Sequence, residues 1–338
     1  MTHSPGYQAV RGGGVGLIDL SSRGRISVGG SEAVMFLNGL ITNDMKTLEP
    51  QRWMPAVFPN VQGRMIAAVR VIRLNDEENI PRFLLDTEAA THASVLKTIE
   101  RFTMAGDFRV VDITGDTLCF SVQGKQALPH VSSVFPNRDL PQNGVAQPSW
   151  NSSSVTVIRA SHTAEDGVDV FVDRPDGLQL IERFADDGLV RVDAETLETL
   201  RIEAGIPRFG IDMDETNVVS ETNLDEAVSF TKGCYIGQEI IARIKYRGHV
   251  AKKLTGLTLE GTKVPAASAV IRSSDGKDIG RMTSATLSPK LACAIALGYV
   301  RYEYLGEGTQ VVVGEEGLAA KITDLPFVRG SWYMSDEL

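Results

Sequence analysis

Apolar positions along the chain keep two rhythms. Residues 15–19 and 25–28 alternate as two short strands. Ser31 is placed as the cap of a helix whose Ala33, Phe36, Leu37 and Leu40 repeat at helical spacing. Residues 53–58 and 65–74 form a predicted strand pair around a turn at 60–64, and residues 82–85 form a further strand. Asp86 is placed as the cap of a helix carrying Ala93, Leu96 and Ile99. Strands resume at 110–113, 117–122, 155–159 and 168–172. Helices follow at 178–185 and at 194–204, the second with Asp193 as N-cap and Gly205 as stop. The stretch 136–154 is rich in Pro, Asn, Gln and Ser and reads as a long, mobile surface loop.

Beyond Lys253 the helical rhythm fades. Short β-type runs recur at 254–259, 270–271, 292–300, 310–313 and 319–322, separated by glycines and charges, which predicts a small all-β barrel. The expected division is residues 1–248 as one α+β region and residues 249–332 as the barrel. The irregular alternation of strands and helices in the first part argues against a doubly wound sheet.

Composition narrows the function classes. The 338 residues carry a formal charge of −9, with 43% hydrophobic and 23% charged residues. An acidic total disfavours broad binding to nucleic acid or anionic lipid. Three scattered cysteines, Cys119, Cys234 and Cys293, make neither a disulfide framework nor a C-x-x-C zinc pattern, and no metal ligand set is expected. Their usage predicts a reducing, cytoplasmic setting, with a mitochondrial matrix as the eukaryotic alternative. The first fourteen residues do not read as a signal peptide, and no run approaches the ~18 apolar residues of a membrane span. The final residues 335–338, SDEL, resemble a retention tail that has no meaning without a leader. Gly12, Gly13, Gly14 and Gly16 fail the dinucleotide-binding spacing and read as a flexible turn before a strand.

The chemistry gathers in SFTKGCYIGQEIIARIKYRGHVAKK, residues 229–253. A helix is predicted after Gly237, running to Tyr246 and stopped by Gly248, with Ile240, Ile241 and Ile244 buried. Cys234 then lies just ahead of a helix N-terminus and two residues from Lys232, two features that favour a thiolate. Six Lys or Arg residues against Glu239 alone give a local basic stripe. A buried, inert cysteine and a solvated helix face are the plainer alternatives. Glu203 is a carboxylate in the last turn of its helix, where the dipole opposes it. A salt bridge to Arg201 or Arg208, or a ligand's N–H donors, would account for it. Thr42-Asn43-Asp44 reads on its own as a polar turn.

These segments carry a resemblance. KGCYIGQE at 232–239, with Ala242-Arg243 and Arg247-Gly248 after it, resembles the signature of the YgfZ family. These are folate-binding proteins of iron–sulfur cluster assembly and repair, similar in fold to the glycine-cleavage T-protein, an aminomethyltransferase. The runs at 16–44 and 201–210, together with IGRMTSATLSP, IALGYV and LPF, match the shared pattern. The resemblance implies an aminomethyltransferase-like folate-binding fold and a bound tetrahydrofolate. Glu203 would hold the pterin, with Tyr235, Gln238, Arg243, Asn43 and Asp44 completing the cofactor site. Cys234 would serve as nucleophile or transient cluster ligand, with Lys232 depressing its pKa. The implied partners are the iron–sulfur assembly machinery or client [4Fe–4S] enzymes, including tRNA-methylthiolating ones. Where the T-protein carries an acidic pair, FPNVQGRMIAA places Ala67 and Ala68, and a methyl group cannot move a proton. The rival readings are a folate-dependent one-carbon transferase that uses Asp44 instead, and a ligand-free scaffold.

Overall fold

The computed structural model describes residues 4–136, 140–151 and 153–333. Helix α1 (Pro5–Arg11) precedes β1 (Gly16–Asp19), β2 (Gly24–Gly29) and α2 (Ala33–Leu40). Strands β3 (Arg52–Pro59), β4 (Met65–Arg73) and β5 (Arg82–Thr87) then lead to α3 (His92–Glu100). Next come β6 (Arg109–Asp112), β7 (Thr117–Gln123), α4 (Ala127–Val134), β8 (Val145–Ala146), β9 (Ser149–Trp150) and β10 (Ser153–Ser154). Strands β11 (Thr156–Arg159) and β12 (Gly167–Asp173) precede α5 (Arg174–Asp186), β13 (Val190–Arg191) and α6 (Ala194–Glu203). Helix α7 (Gln238–Arg247) opens onto β14 (Lys252–Leu259), β15 (Val270–Ser273), β16 (Asp278–Ser288), β17 (Cys293–Arg301), β18 (Gln310–Val313) and β19 (Leu318–Thr323).

Two sheets build the first part. One has the order β13-β1-β7-β12-β11-β8, the other β3-β4-β5-β2-β6, and the last six strands close into a barrel. Alternation on β4 sets the layers: Ala67, Val69 and Val71 face a core shared with Leu37 and Leu40 of α2 and Val95 and Ile99 of α3. On the opposite face, Ile72 and Leu84 meet Cys119, Ile158 and Phe171 of the six-stranded sheet. A chain of charges crosses the same seam. Asp86 takes Arg23 and Arg70, and Arg70 also reaches Asp169 at 2.6 Å, which His162 contacts at 2.9 Å. The two arginines hold the buried Asp86 carboxyl below its ordinary range despite desolvation.

Several sequence expectations are corrected. Asp86 caps no helix; it lies in β5 within that ion network, and Thr91 precedes α3 instead. Glu32 precedes α2, while Ser31 binds Asp107. The stretch 136–154 is not simply a surface loop. Leu140, Val145 and Ala146 are buried, and Val145 pairs with Ile158 of β11. Residues 137–139 and 152 and the tail 335–338 lie outside the described residues. Helices α1 and α4 have no counterpart in the periodicity reading. Among the described residues, no helix is long and apolar enough to cross a membrane.

Candidate functional site

The site is a turn laid between two older pieces of structure. Residues 229–237 run from the end of α2 to the start of α7, passing the tip of the β3–β4 hairpin. Ser229 N–H donates to Thr42 O at 3.0 Å and Ile236 N–H to Gly39 O at 3.1 Å, so backbone bonds fix both ends. Gly237 has φ 76°, and a Cβ there would lie 2.4 Å from Asn60 O and 2.9 Å from Gly63 Cα. Only glycine permits that handedness and that approach together.

Lys232 is the pin. It is buried, and its Nζ donates to Asn38 O at 2.7 Å, Ile41 O at 3.0 Å and Asn43 O at 2.6 Å. These carbonyls end α2, so the ammonium sits at the helix's negative pole. The same cation lies 5.0 Å from the centre of the Tyr235 ring. Burial draws its pKa down to about 8, opposed by Asp44. All three ammonium hydrogens are therefore spent on carbonyls, and the expected Lys232 support of the thiol is not formed.

Cys234 stands exposed on the turn, whereas Cys119 is buried and Cys293 half-buried, and all three are free thiols. Helix α7 begins four residues later, after Gly237 in the left-handed conformation, so the sulfur does not sit at the helix cap. Of the three isoleucines expected inside, Ile241 is buried while Ile240 and Ile244 are half-buried. The basic stripe also divides. Lys232 points inward, Arg243 and Lys245 are exposed, Lys252 covers Tyr299, and Lys253 pairs with Asp225 at 3.6 Å.

The remaining expected residues split between support and surface. Tyr235 is buried beside Val57, Met213 and Ile241, and burial pushes its phenol to about 12. Asn43 spends its amide on Pro55 O at 2.8 Å and Glu226 O at 2.9 Å. Asp44 is half-buried and accepts from Lys46 N–H. Gln238 is half-buried at the start of α7. Ala67 packs in the core of the five-stranded sheet, while Ala68 faces the Tyr235 cluster.

Glu203, expected to hold a pterin, is enclosed by donors of the protein itself. It is 0% exposed. Tyr7 Oη donates to Oε1 at 2.8 Å, Ser288 Oγ to Oε1 at 2.6 Å, and Arg11 Nε to Oε2 at 3.0 Å. Neither Arg201 nor Arg208 is its partner: both pair with Glu198, and Arg201 also with Asp212. Arg11 continues to Glu165, which holds Ser331 by N–H and hydroxyl. Glu203 thus ties α1, the barrel and, through Arg11 and Glu165, the C-terminal segment together. Tyr7 and Arg11 were missed because α1 is one short helix with no apolar period.

Beside that knot a cleft of about 670 Å³ opens between the end of α6, the 223–226 turn and the barrel. Ala204, Pro207, Asp225, Glu226, Lys253 and Arg329 are among its walls. Among the described residues, no cluster of His, Cys, Asp or Glu is arranged to hold a metal ion.

Two sheets packed face to face, a closed barrel against α6 and an interdomain cleft define a protein of the aminomethyltransferase-like class. Residues 5–232 match the GCVT N-terminal domain and residues 252–329 the glycine cleavage T-protein C-terminal barrel domain; the chain belongs to this T-protein family. The aminomethyltransferase of Rubrobacter xylanophilus is 30% identical over 319 residues, covering 93% of this chain and 83% of the relative. That of Nostoc sp. is 27% identical over 332 residues, covering 96% and 87%. The crystal structure of glycine cleavage system aminomethyltransferase T from Bartonella henselae has the same fold. Its TM-score is 0.86 at 23% identity, covering 96% of this chain and 88% of that one.

Proposed function

We propose that this chain is a tetrahydrofolate-binding accessory protein of the YgfZ type, supporting [4Fe–4S] enzymes rather than turning over an aminomethyl donor. One arrangement carries the reading: an exposed thiol on a turn pinned at both ends, in a chain with alanines at positions 67 and 68. Ala67 offers the inner core a methyl group, and Ala68 offers one to the Tyr235 cluster. Neither can stabilise a cationic one-carbon intermediate. A thiol at a fixed surface position can instead meet a sulfur species or a cluster on a partner enzyme.

Folate is tested against the residues present. The pterin requires a carboxylate to accept its N–H donors, and the glutamate tail requires a cation. The Glu203 carboxylate already accepts from Tyr7, Arg11 and Ser288. The cleft of about 670 Å³ has Asp225, Glu226 and Asp324 for the pterin and Arg329 and Lys253 for the tail. Its size is ordinary for a ligand of this kind. These residues suit the group, and in this proposal the pterin is seated in the cleft.

The deciding experiment pairs two readouts. Tetrahydrofolate should raise the melting temperature of the wild-type chain, and Arg329→Ala should reduce that shift. Cys234→Ala should keep the shift yet fail to restore a [4Fe–4S] enzyme in cells lacking their own such protein. Equal folate shifts in wild type and Arg329→Ala would remove the cleft assignment, and full restoration by Cys234→Ala would remove the accessory role. The aminomethyltransferase relatives favour the rival reading, a one-carbon transferase, for which Asp44 is the acid we would assign. Formation of a one-carbon folate from an aminomethyl donor, abolished in Asp44→Asn, would establish that reading.

A further inference from the structure

The barrel's outer face carries a second charged cleft, independent of the folate reading. Strands β14, β17 and β16 are neighbours in the barrel. Register places Lys252 opposite Arg301 and Arg281 opposite Tyr299. Alternation puts Lys252, Arg301, Tyr299 and Arg281 on one face. Two cations directly across a strand pair repel each other, so nothing in barrel stability calls for this arrangement. The four residues line a cleft of about 370 Å³, together with Thr283 and Asp278.

Charge accounting gives the cleft its sign. Among the described residues, Lys252, Arg281 and Arg301 have no carboxylate within salt-bridge distance, although acids stand near the floor of the cleft. Asp278 is paired with Arg272 at 3.0 Å and Asp212 with Arg201 at 2.7 Å, whereas Asp214 and Glu221 are bonded only by the neutral donors Thr216 and Asn217 and keep their charge; Thr216 and, after it, Lys252 hold the Asp214 carboxyl below its ordinary range. Tyr299 is 7% exposed, and its buried hydroxyl has no hydrogen-bond partner. The Lys252 ammonium lies 4.8 Å from the centre of its ring. A buried hydroxyl without a partner is costly unless something else uses the site. In a chain of charge −9, three cations without a salt bridge on adjacent strands form a local concentration of positive charge on the rim, above an acidic floor.

We propose that this cleft binds a small dianion of the phosphate-monoester class. Arg281 and Arg301 present guanidinium groups suited to two oxygens of one phosphate, and Lys252 supplies a point charge between them and the aromatic floor.

The test uses the full chain and inorganic phosphate, with chloride replacing it at constant ionic strength. Calorimetric titration should give saturable binding, weakened about tenfold or more in Arg281→Gln/Arg301→Gln. Both side chains are exposed, and the melting temperature without phosphate should be unchanged. Absent saturation, or equal affinity in wild type and variant, would overturn the site. Tighter arginine-dependent binding of a single-stranded oligonucleotide than of phosphate would overturn the ligand class.

Discussion

Lys232 and Glu203 are two buried charges in regions that the sequence ties equally to chemistry. Lys232 meets main-chain carbonyls at the end of one helix, within a single lobe. Glu203 meets side chains from α1, the barrel and, through Arg11, the segment that carries Glu165. The first fixes a local turn and leaves the neighbouring thiol free. The second joins parts of the chain distant in sequence and leaves nothing free. A buried charge is costly unless every bonding direction is filled, so in both regions it becomes an anchor. The groups available for chemistry are those beside the anchors.

The sharpest test of that contrast is Glu203→Ala. It strands Arg11, whose side chain is 4% exposed, with Glu165 alone. Loss of one partner from a buried pair should cost about 3–5 kcal/mol, read as a lower urea midpoint. A change below ~1 kcal/mol would mean that the knot between lobes is not structural. Lys232→Met comes next. It removes the donor from three carbonyls and should cost about 2–3 kcal/mol. Cys234 should then be alkylated at an altered rate, and Lys232→Arg should not restore it, because a planar fork cannot fill a three-carbonyl seat. An unchanged rate in Lys232→Met would separate the pin from the thiol.

The smallest effect is on pH dependence. The native Lys232 pKa lies near 8 against 10.5 for the free side chain. Between those values the unfolded chain holds more protons than the folded one. This residue's contribution therefore rises with pH across that window and is lost as pH falls through about 8. Subtracting the Lys232→Met profile from the wild-type profile should isolate that slope; a flat difference would place the ammonium in a better-solvated seat.

Most of the architecture could be read from apolar spacing. The hairpin β3–β4, helix α6 with its Asp193 cap, and five of the six barrel strands follow from period and turn chemistry alone, whereas β16 was not read. Asp86 and Ser31 misled because a capping residue type before an apolar run is a local signal. Their real partners, Arg23 and Asp107, are remote in sequence. At the site, the special character of residues 232–239 was legible, since two glycines around a lone Cys and Lys restrict the backbone. The direction in which Lys232 points was not. It depends on where α2 ends in space, which periodicity does not encode. The partners of Glu203 were hidden for the same reason: Tyr7 and Arg11 lie in a seven-residue helix near the N-terminus.

The approach of Gly237 to Gly63 has a mechanical consequence. Where side chains meet, rotamers absorb small displacements; here bare main chain rests on bare main chain. The hairpin tip and the thiol-bearing turn should travel as one lever. A partner pressing on residues 60–63 would reposition the Cys234 sulfur without touching it.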